Sequence, residues 1–354
     1  MAMRIGNMNA PFAAVIWLAV LSAWPLLAPA LEFNFSSLTG FTAAAEAALD
    51  RAAAKWTSRI DDPITVNIQT DFLELASPNI IGTAGSVTLV SSPSFSNNVI
   101  AQLKADAAAE TDDAIVASLP TIGGLNGLEV ALPADFSFVG HLAGTKANFK
   151  ALALPGFDFD HSDFGGPIDA VINFNTEFNF DFDNGDGVTA LHMDFETVAA
   201  HELGHALGFI SAVDEIDRLM DESKTGTIAP TLPDLFRFGP GDNPSNAAEF
   251  AAATRNLIPG APTFFDDTAA EYLFSTGVSQ GDGRQASHWK DGQSIGILDP
   301  TLAFGQIFEV SEADFRILDV IGYDINAIPL PPGLILFGSA VLALAYRSRR
   351  PPLQ

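Results

Sequence analysis

The feature that most restricts the fold of this chain is a pair of histidines four residues apart, in the segment HELGH at 201–205. Positions i and i+4 lie one above the other on one helix face, so both imidazoles can bind one metal ion. Asp194 as N-cap and Gly208 as terminating glycine predict a helix over 194–208. Glu202 follows His201 directly on the helix, so its carboxylate lies close to the metal without binding it. There it can accept a proton from water on the metal. A core helix whose histidines only satisfy hydrogen bonds is the alternative; the spacing itself predicts a zinc-binding helix.

A catalytic zinc site also needs a third ligand, because such sites take three protein ligands and a water. Ser211 follows Gly208 by three residues, and a hydroxyl is a poor ligand for zinc. The chain has four further histidines: His141, His161, His192 and His288. Carboxylates after the helix are alternatives, in a segment that is also typical of a solvated helical face: Asp214, Glu215, Asp217 and Glu222. The residue types alone leave the choice of third ligand open.

Two segments carry a resemblance to a known family. HELGHALGFIS at 201–211 resembles the metzincin signature, except that Ser211 stands where the signature has its third histidine. QASHW at 285–289, followed by ILDPT at 297–301, is similar to the leishmanolysin-like metzincins, in which a distant His-Trp and then a Met-containing turn follow the helix. Leu298 occupies the place of that methionine and is expected to form an apolar floor under the metal. The resemblance implies His288 as the third ligand.

The resemblance further implies a secreted zinc-dependent endopeptidase. Zn²⁺ held by His201, His205 and His288 is expected to polarise the scissile carbonyl and to acidify its bound water. Glu202 is expected to take the proton of that water and pass it to the leaving amine. The strand around 171–175 is expected to form the upper rim of the cleft and to pair with a protein or peptide substrate. Two alternatives stay open: a non-catalytic metal-binding protein of the envelope or matrix that keeps the zincin fold, and a zinc hydrolase of a non-peptide bond.

Residue periodicity predicts an α+β fold between the two ends of the chain. Helices are predicted at 41–58, within 95–118, and at 144–152, 194–208 and 311–321, and the segment from Ser311 to Asp314 is predicted to cap the last of them. Strands are predicted at 64–68, 86–90, 169–176 and 178–183. The family resemblance implies that these elements form one zincin-like domain over 31–326. Its N-terminal lobe, 31–208, holds a twisted mixed sheet with a backing helix and the active-site helix. The C-terminal lobe, 209–326, is expected to be irregular with a few short helices.

The charge and composition exclude several classes of protein. The formal net charge is −26, with only 17 Lys plus Arg, which disfavours a nucleic-acid partner because phosphate binding needs a basic surface. The absence of cysteine excludes disulfides, Cys-based zinc sites and thiol nucleophiles. The Asp-rich segment DFDNGDG at 181–187 is similar to a calcium loop, but it lacks EF-hand spacing. A Ca²⁺ site there, and another at the aspartates of 158–163, remain alternatives to solvated turns.

Both ends of the chain are typical of targeting segments. Residues 1–30 combine Arg4, an apolar stretch and a final Ala-Pro-Ala, which predicts a signal peptide rather than a membrane anchor. Residues 327–354 hold Pro-Leu-Pro, an apolar run and an arginine cluster, and they resemble the PEP-CTERM sorting tails of Gram-negative bacteria. That resemblance implies export, transient anchoring in the inner membrane, processing by a sorting peptidase, and release to the cell envelope or the medium. A permanent single-span anchor is the alternative.

Overall fold

The computed structural model of the protein describes residues 30–108, 114–124 and 127–326. The predicted sorting tail lies outside these residues, as does the predicted signal peptide up to residue 29. None of the helices in the described ranges is long and apolar enough to cross a bilayer. The described residues thus cover nearly all of the predicted domain, and they form a mixed architecture of helices and sheets that agrees with the α+β class.

Seven α-helices lie within the described residues, and local signals account for most of their ends. Their bounds are α1 (Ala43–Thr57), α2 (Pro93–Ala107), α3 (Lys146–Ala151), α4 (Phe195–Leu207), α5 (Ala212–Asp221), α6 (Ala247–Ala252) and α7 (Glu312–Val320). The helices predicted at 41–58, 144–152, 194–208 and 311–321 are confirmed. The last of these begins with the expected capping box between Ser311 and Asp314. The prediction over 95–118 is confirmed in part: α2 ends at Ala107, and a short 3₁₀ helix occupies Ala114–Ser118.

The strands are short except in one sheet. Their bounds are β1 (Glu32–Ser37), β2 (Thr65–Leu73), β3 (Gly82–Ser86), β4 (Thr88–Val90), β5 (Val130–Ala131), β6 (Ser137–Phe138), β7 (Ala143–Thr145), β8 (Ala170–Asn175), β9 (Phe180–Asp181), β10 (Met193–Asp194), β11 (Thr227–Ile228), β12 (Arg237–Phe238), β13 (Arg255–Asn256), β14 (Phe264–Asp266) and β15 (Glu271–Leu273). The strands predicted at 64–68 and 169–176 are confirmed as β2 and β8. The strand predicted at 86–90 is divided between β3 and β4, and only β9 forms within 178–183.

The main sheet is mixed, with the strand order β1-β2-β8-β3. Strands β1, β2 and β8 run parallel, whereas β3 runs antiparallel to β8. The prediction that residues 171–175 form the cleft rim is wrong, because β8 lies inside the sheet with β2 on one side and β3 on the other. The edge strand next to helix α4 is β3. Apolar alternation indicates which face of a strand is buried, but it does not indicate which strands lie beside it. The strand order therefore could not be predicted from alternation.

Helices α1 and α4 pack against each other, and α4 also packs on β3 and β8. Trp56 of α1 is fully buried, and its indole N–H donates to the carbonyl of Ala200 on α4 at 2.9 Å. The rings of Phe72, Phe174 and Phe195 join β2, β8 and α4, with centroids 4.6–5.5 Å apart. Burying each such side chain stabilises the fold by about 1.5–3 kcal/mol. This packing fixes the back of α4 against the core.

The segment 212–285 is less irregular than predicted, because it contributes four strands to a small sheet with the order β15-β14-β12-β13-β5. Two arginines in the strands of this sheet are fully buried. The guanidinium of Arg237 lies 4.5 Å from the ring of Phe274 and donates to the carbonyls of Ser275 and Ala286. The guanidinium of Arg255 lies 4.9 Å from the ring of Phe238. Strand pairing between distant segments, invisible to local periodicity, gives this part its order. The division into lobes at residue 208 stays a prediction.

Candidate metal centre

Helix α4 begins and ends as its sequence predicts. The carboxylate of Asp194 accepts the backbone N–H of Thr197 at 3.0 Å and so caps the first turn. At the other end Gly208 has φ of +135°, a conformation that favours glycine, and its N–H bonds back to the carbonyls of Gly204 and His205. The chain therefore leaves the helix directly after the last histidine of the motif.

Three imidazoles meet in front of α4, as the proposed ligand set requires. The Nε2 atoms of His201 and His205 are 3.1 Å apart, and each lies 3.2 Å from Nε2 of His288. These separations are close to the roughly 3.4 Å expected between nitrogens that share a tetrahedral Zn²⁺ at about 2.1 Å. His288 lies 83 residues beyond His205 in the chain, so the fold brings together two segments that are far apart in sequence.

The hydrogen bonds at the other ring nitrogens determine which way the three lone pairs point. Nδ1 of His201 lies 2.8 Å from the carbonyl oxygen of Ile297, and Nδ1 of His205 lies 2.7 Å from that of Phe209. Nδ1 of His288 lies 3.2 Å from the carbonyl oxygen of Gln285. A carbonyl only accepts, so each Nδ1 carries the proton and each Nε2 presents a lone pair. Three converging lone pairs repel one another unless a cation lies among them, so the site fits a metal ion.

The electrostatic environment keeps the three rings neutral, which is the state in which imidazole binds a metal. Burial, followed by repulsion from His205, lowers the pKa of His201 to about 3. Burial likewise lowers the pKa of His205, and it lowers that of His288 well below the ordinary 6.5. No proton therefore has to leave these rings at neutral pH before a cation enters.

A partly buried carboxylate on α5 holds the loop that carries His288. The Asp214 carboxylate accepts the backbone N–H of Ala286 at 2.5 Å and that of Ser287 at 3.1 Å. Both donors directly precede the histidine, so the hydrogen bonds constrain the direction in which the ring leaves the backbone. Asp214 was an alternative third ligand in the sequence, but here it positions His288 instead.

A second carboxylate, Asp314 at the start of α7, fixes the other side of the site. It accepts the indole N–H of Trp289 and the backbone N–H of Ile297, each at 2.8 Å. The Trp289 ring stacks on Phe274, with ring centroids 5.2 Å apart. The Ile297 carbonyl accepts from His201, so one carboxylate ties together the loops on both sides of the imidazoles.

Leu298 is fully buried and lies against helix α4 at Gly204. Its role as an apolar floor under the metal stays a prediction. A Cβ added at Gly204, between the two helix histidines, would lie 2.9 Å from Cδ2 of Leu298 and 3.0 Å from Cζ2 of Trp56. Gly204 therefore lets the helix approach both apolar side chains closely.

Glu202 is 6% exposed and lies on the cleft side of α4. No described group donates a hydrogen bond to its carboxylate, and burial alone raises its pKa to about 8. A cation held by the neighbouring imidazoles would favour the ionised carboxylate and lower that pKa again. Glu202 is thus placed where a proton acceptor would lie, and a bound cation would change its charge state.

The other candidate ligands lie elsewhere. Asp217 accepts three backbone N–H groups, from Val278, Ser279 and Gln280. Glu215 and Glu222 pair with Arg218 on the exposed face of α5. Nδ1 of His141 lies 2.7 Å from the carbonyl oxygen of Ser91, whereas His161 and His192 contact only neighbours in sequence. Ser211 caps α5 and donates to Asp234.

The Asp-rich segment at 181–187, where a calcium site was an alternative, has ordinary turn contacts. Asp181 accepts the backbone N–H groups of Asp183 and Thr189, and Asp183 accepts that of Gly185. Across residues 30–108, 114–124 and 127–326, the histidine set is the only group of three or more His, Cys, Asp or Glu whose ligand atoms come together. These contacts favour the solvated-turn alternative for the segment at 181–187.

The three imidazoles and Glu202 open onto a cleft of about 940 Å³. One wall is formed by β3, through Gly82, Thr83, Ala84 and Ser86. Parts of segments 283–288 and 297–302 form the opposite wall. A cleft of this size is in the range that binds ligands of a few residues.

Sequence reasoning did not identify two residues that shape this site, Gly82 and Asp314. A glycine inside a strand is a known sign of a close backbone approach, but the strand was predicted at 86–90, so this signal did not reach Gly82, the first residue of β3. Asp314 was recognised only as part of a helix cap, because its bonds to Trp289 and Ile297 are long-range contacts. No family model, curated protein or solved structure matches this chain.

Proposed function

We propose that this chain is a zinc-dependent endopeptidase with a zincin-like, two-lobed fold of the metzincin kind. The observation that carries the proposal is the convergence of three Nε2 lone pairs within 3.2 Å of one another, beside a buried carboxylate and at the base of a cleft. The predicted signal peptide and sorting tail support export to the bacterial envelope or the medium, with transient anchoring in the inner membrane.

His201, His205 and His288 would hold the ion, with their Nδ1 protons bound to backbone carbonyls. A bound zinc ion would supply Lewis acidity and would make water a better nucleophile at neutral pH. Glu202 accepts the proton of the attacking water and returns it to the leaving amine. Its lack of a hydrogen-bonding partner suits this role, because the carboxylate has no protein donor to give up before it takes a proton.

Strand β3 is the element best placed to bind a peptide. It pairs with β8 on one side only, and within the described residues no strand pairs with its other edge. An extended peptide that adds to such an edge gains main-chain hydrogen bonds without regard to its side chains. This placement would align the scissile bond with Glu202 and the imidazoles, and it favours a peptide over a non-peptide substrate.

The test compares wild-type protein with Glu202→Ala on a casein-like substrate, with zinc content measured in both. Loss of the general base is expected to lower the rate about 10²–10⁴-fold while zinc is retained. Glu32→Ala, which removes an exposed carboxylate at the far edge of the sheet, is the matched control and should keep wild-type activity.

The histidines are tested separately, by replacing His288 with alanine and by replacing the exposed His161 in the same way. The first change should abolish stoichiometric zinc binding, whereas the second should leave it unchanged. Equal proteolysis by wild type and Glu202→Ala contradicts the proposal. Zinc binding without hydrolysis of any peptide would favour the non-catalytic metal-binding alternative.

A further inference from the structure

Strand β3 packs directly against helix α4 through small residues on one face. Gly82 and Ser86 are four residues apart on the strand and so point to the same face. At one end the Ser86 hydroxyl donates to the carbonyl of His205 at 3.0 Å. Pairing with β8 joins Gly82 to Phe174 and Ser86 to Ala170, so the strand backbone is fixed in register. The strand is therefore anchored both to the sheet and to the metal-binding turn.

At the other end of this face, Gly82 lies directly against Glu202. A Cβ added to Gly82 would lie 2.7 Å from Oε1 and 3.2 Å from Cγ of Glu202, and 3.1 Å from Cγ1 of Val198. Contacts below 3.0 Å require a neighbour to move. The backbone is held by its strand pairs, so the carboxylate is the group that would shift.

Conformation does not explain a glycine at this position. Gly82 is absent from the residues with positive φ, so its backbone is one that any residue adopts. Gly85 is equally ordinary in backbone, and its added Cβ would meet only the Val171 carbonyl oxygen, at a relaxed 3.7 Å. What distinguishes Gly82 from Gly85 is the space that Glu202 occupies.

We propose that Gly82 is a positioning residue for Glu202: the missing side chain leaves room for the carboxylate to lie against β3 beside the three imidazoles. No described group donates a hydrogen bond to that carboxylate, so packing against Gly82 sets its position. This inference rests on the proposed peptidase function, in which Glu202 is the proton acceptor.

The experiment compares Gly82→Ala with Gly85→Ala in the full chain, and measures zinc content, kcat and KM on a peptide substrate. Gly82→Ala should retain one zinc per chain and lower kcat about 10–100-fold with KM nearly unchanged, because a displacement of about 1 Å in a reacting group has this effect. Gly85→Ala alters the same strand without meeting Glu202, so any effect on peptide pairing should appear in both variants, and kcat of Gly82→Ala should lie about 10–100-fold below that of Gly85→Ala.

A second comparison places Glu202→Asp in both backgrounds. The shorter side chain leaves room for a Cβ at position 82. Glu202→Asp should therefore lower kcat much less in the Gly82→Ala background than in the wild-type background. A merely structural role of Gly82 predicts equal costs in the two backgrounds. If Gly82→Ala folds poorly, the double variant Gly82→Ala, Glu202→Ala is measured as well. It lacks the clash, so its urea midpoint should equal that of Glu202→Ala alone.

The outcomes separate this inference from the function on which it rests. Active wild-type protein with equal kcat in Gly82→Ala and Gly85→Ala overturns the positioning role alone. Equal costs of Glu202→Asp in both backgrounds do the same. Wild-type protein that binds zinc but hydrolyses no peptide defeats the proposed function, and the positioning role falls with it.

Discussion

The most informative perturbation outside the ligand set is Asp214→Asn, because Asp214 holds the backbone directly before His288. The carboxylate accepts two N–H groups, at 2.5 and 3.1 Å. An asparagine has one acceptor oxygen, so one of these bonds is lost and the amide NH₂ then faces the other donor. A buried donor without a partner costs about 1–3 kcal/mol.

This cost should appear mainly in metal affinity. The metal-bound state needs the loop in place, whereas the metal-free protein can release the loop and hydrate its N–H groups. A penalty of 1.4 kcal/mol corresponds to a tenfold change in an equilibrium constant, so we expect zinc to bind about 10–100-fold more weakly. Competition with a chromogenic chelator measures this affinity directly.

Asp217→Asn is the matched control. Asp217 lies on the same helix and accepts three backbone N–H groups from Val278, Ser279 and Gln280, at 2.7–3.0 Å, in the same loop but farther from His288. It should lower the urea midpoint of the protein at least as much as Asp214→Asn does, yet leave zinc affinity within about threefold, because its bonds are remote from the metal. Equal loss of zinc affinity in the two variants would refute the positioning argument for Asp214.

Three further predictions follow from other parts of the fold. Burial raises the pKa of Asp62 to about 7, so the contribution of its protonated carboxyl to stability should be complete below about pH 4 and lost as the pH rises to about 7. Urea unfolding measured across this pH range should show the decline in wild type and not in Asp62→Asn. Gly204→Ala should lower the urea midpoint, because overpacking against Leu298 and Trp56 costs about 1–3 kcal/mol and outweighs a helix-propensity gain of about 1 kcal/mol; a raised midpoint would contradict this. Removal of zinc with a chelator should lower the thermal midpoint of wild type, and not that of His288→Ala, because a ligand at 100 times its Kd stabilises the fold by about 2.7 kcal/mol.

The local elements on which the site is built follow from short-range signals in the sequence. Helix α4 depends on its own residues: Asp194 caps one end, Gly208 ends the other, and the i, i+4 spacing puts two imidazoles on one face. These signals act within a few residues and can be read without knowing what surrounds them. The capping box at the start of α7 was predictable for the same reason.

The strands and loops around that helix depend on long-range contacts of the folded chain. The central position of β8, the edge position of β3 and the existence of β1 depend on pairing between segments that are distant in the chain. The convergence of His288 with the helix histidines was an expectation from family resemblance, and the contacts that hold it in place, from Asp214 and Asp314, join residues far apart in sequence. The fit of Gly82 against Glu202 is of the same kind. Such contacts exist only when two backbones approach, and residue periodicity carries no information about that approach.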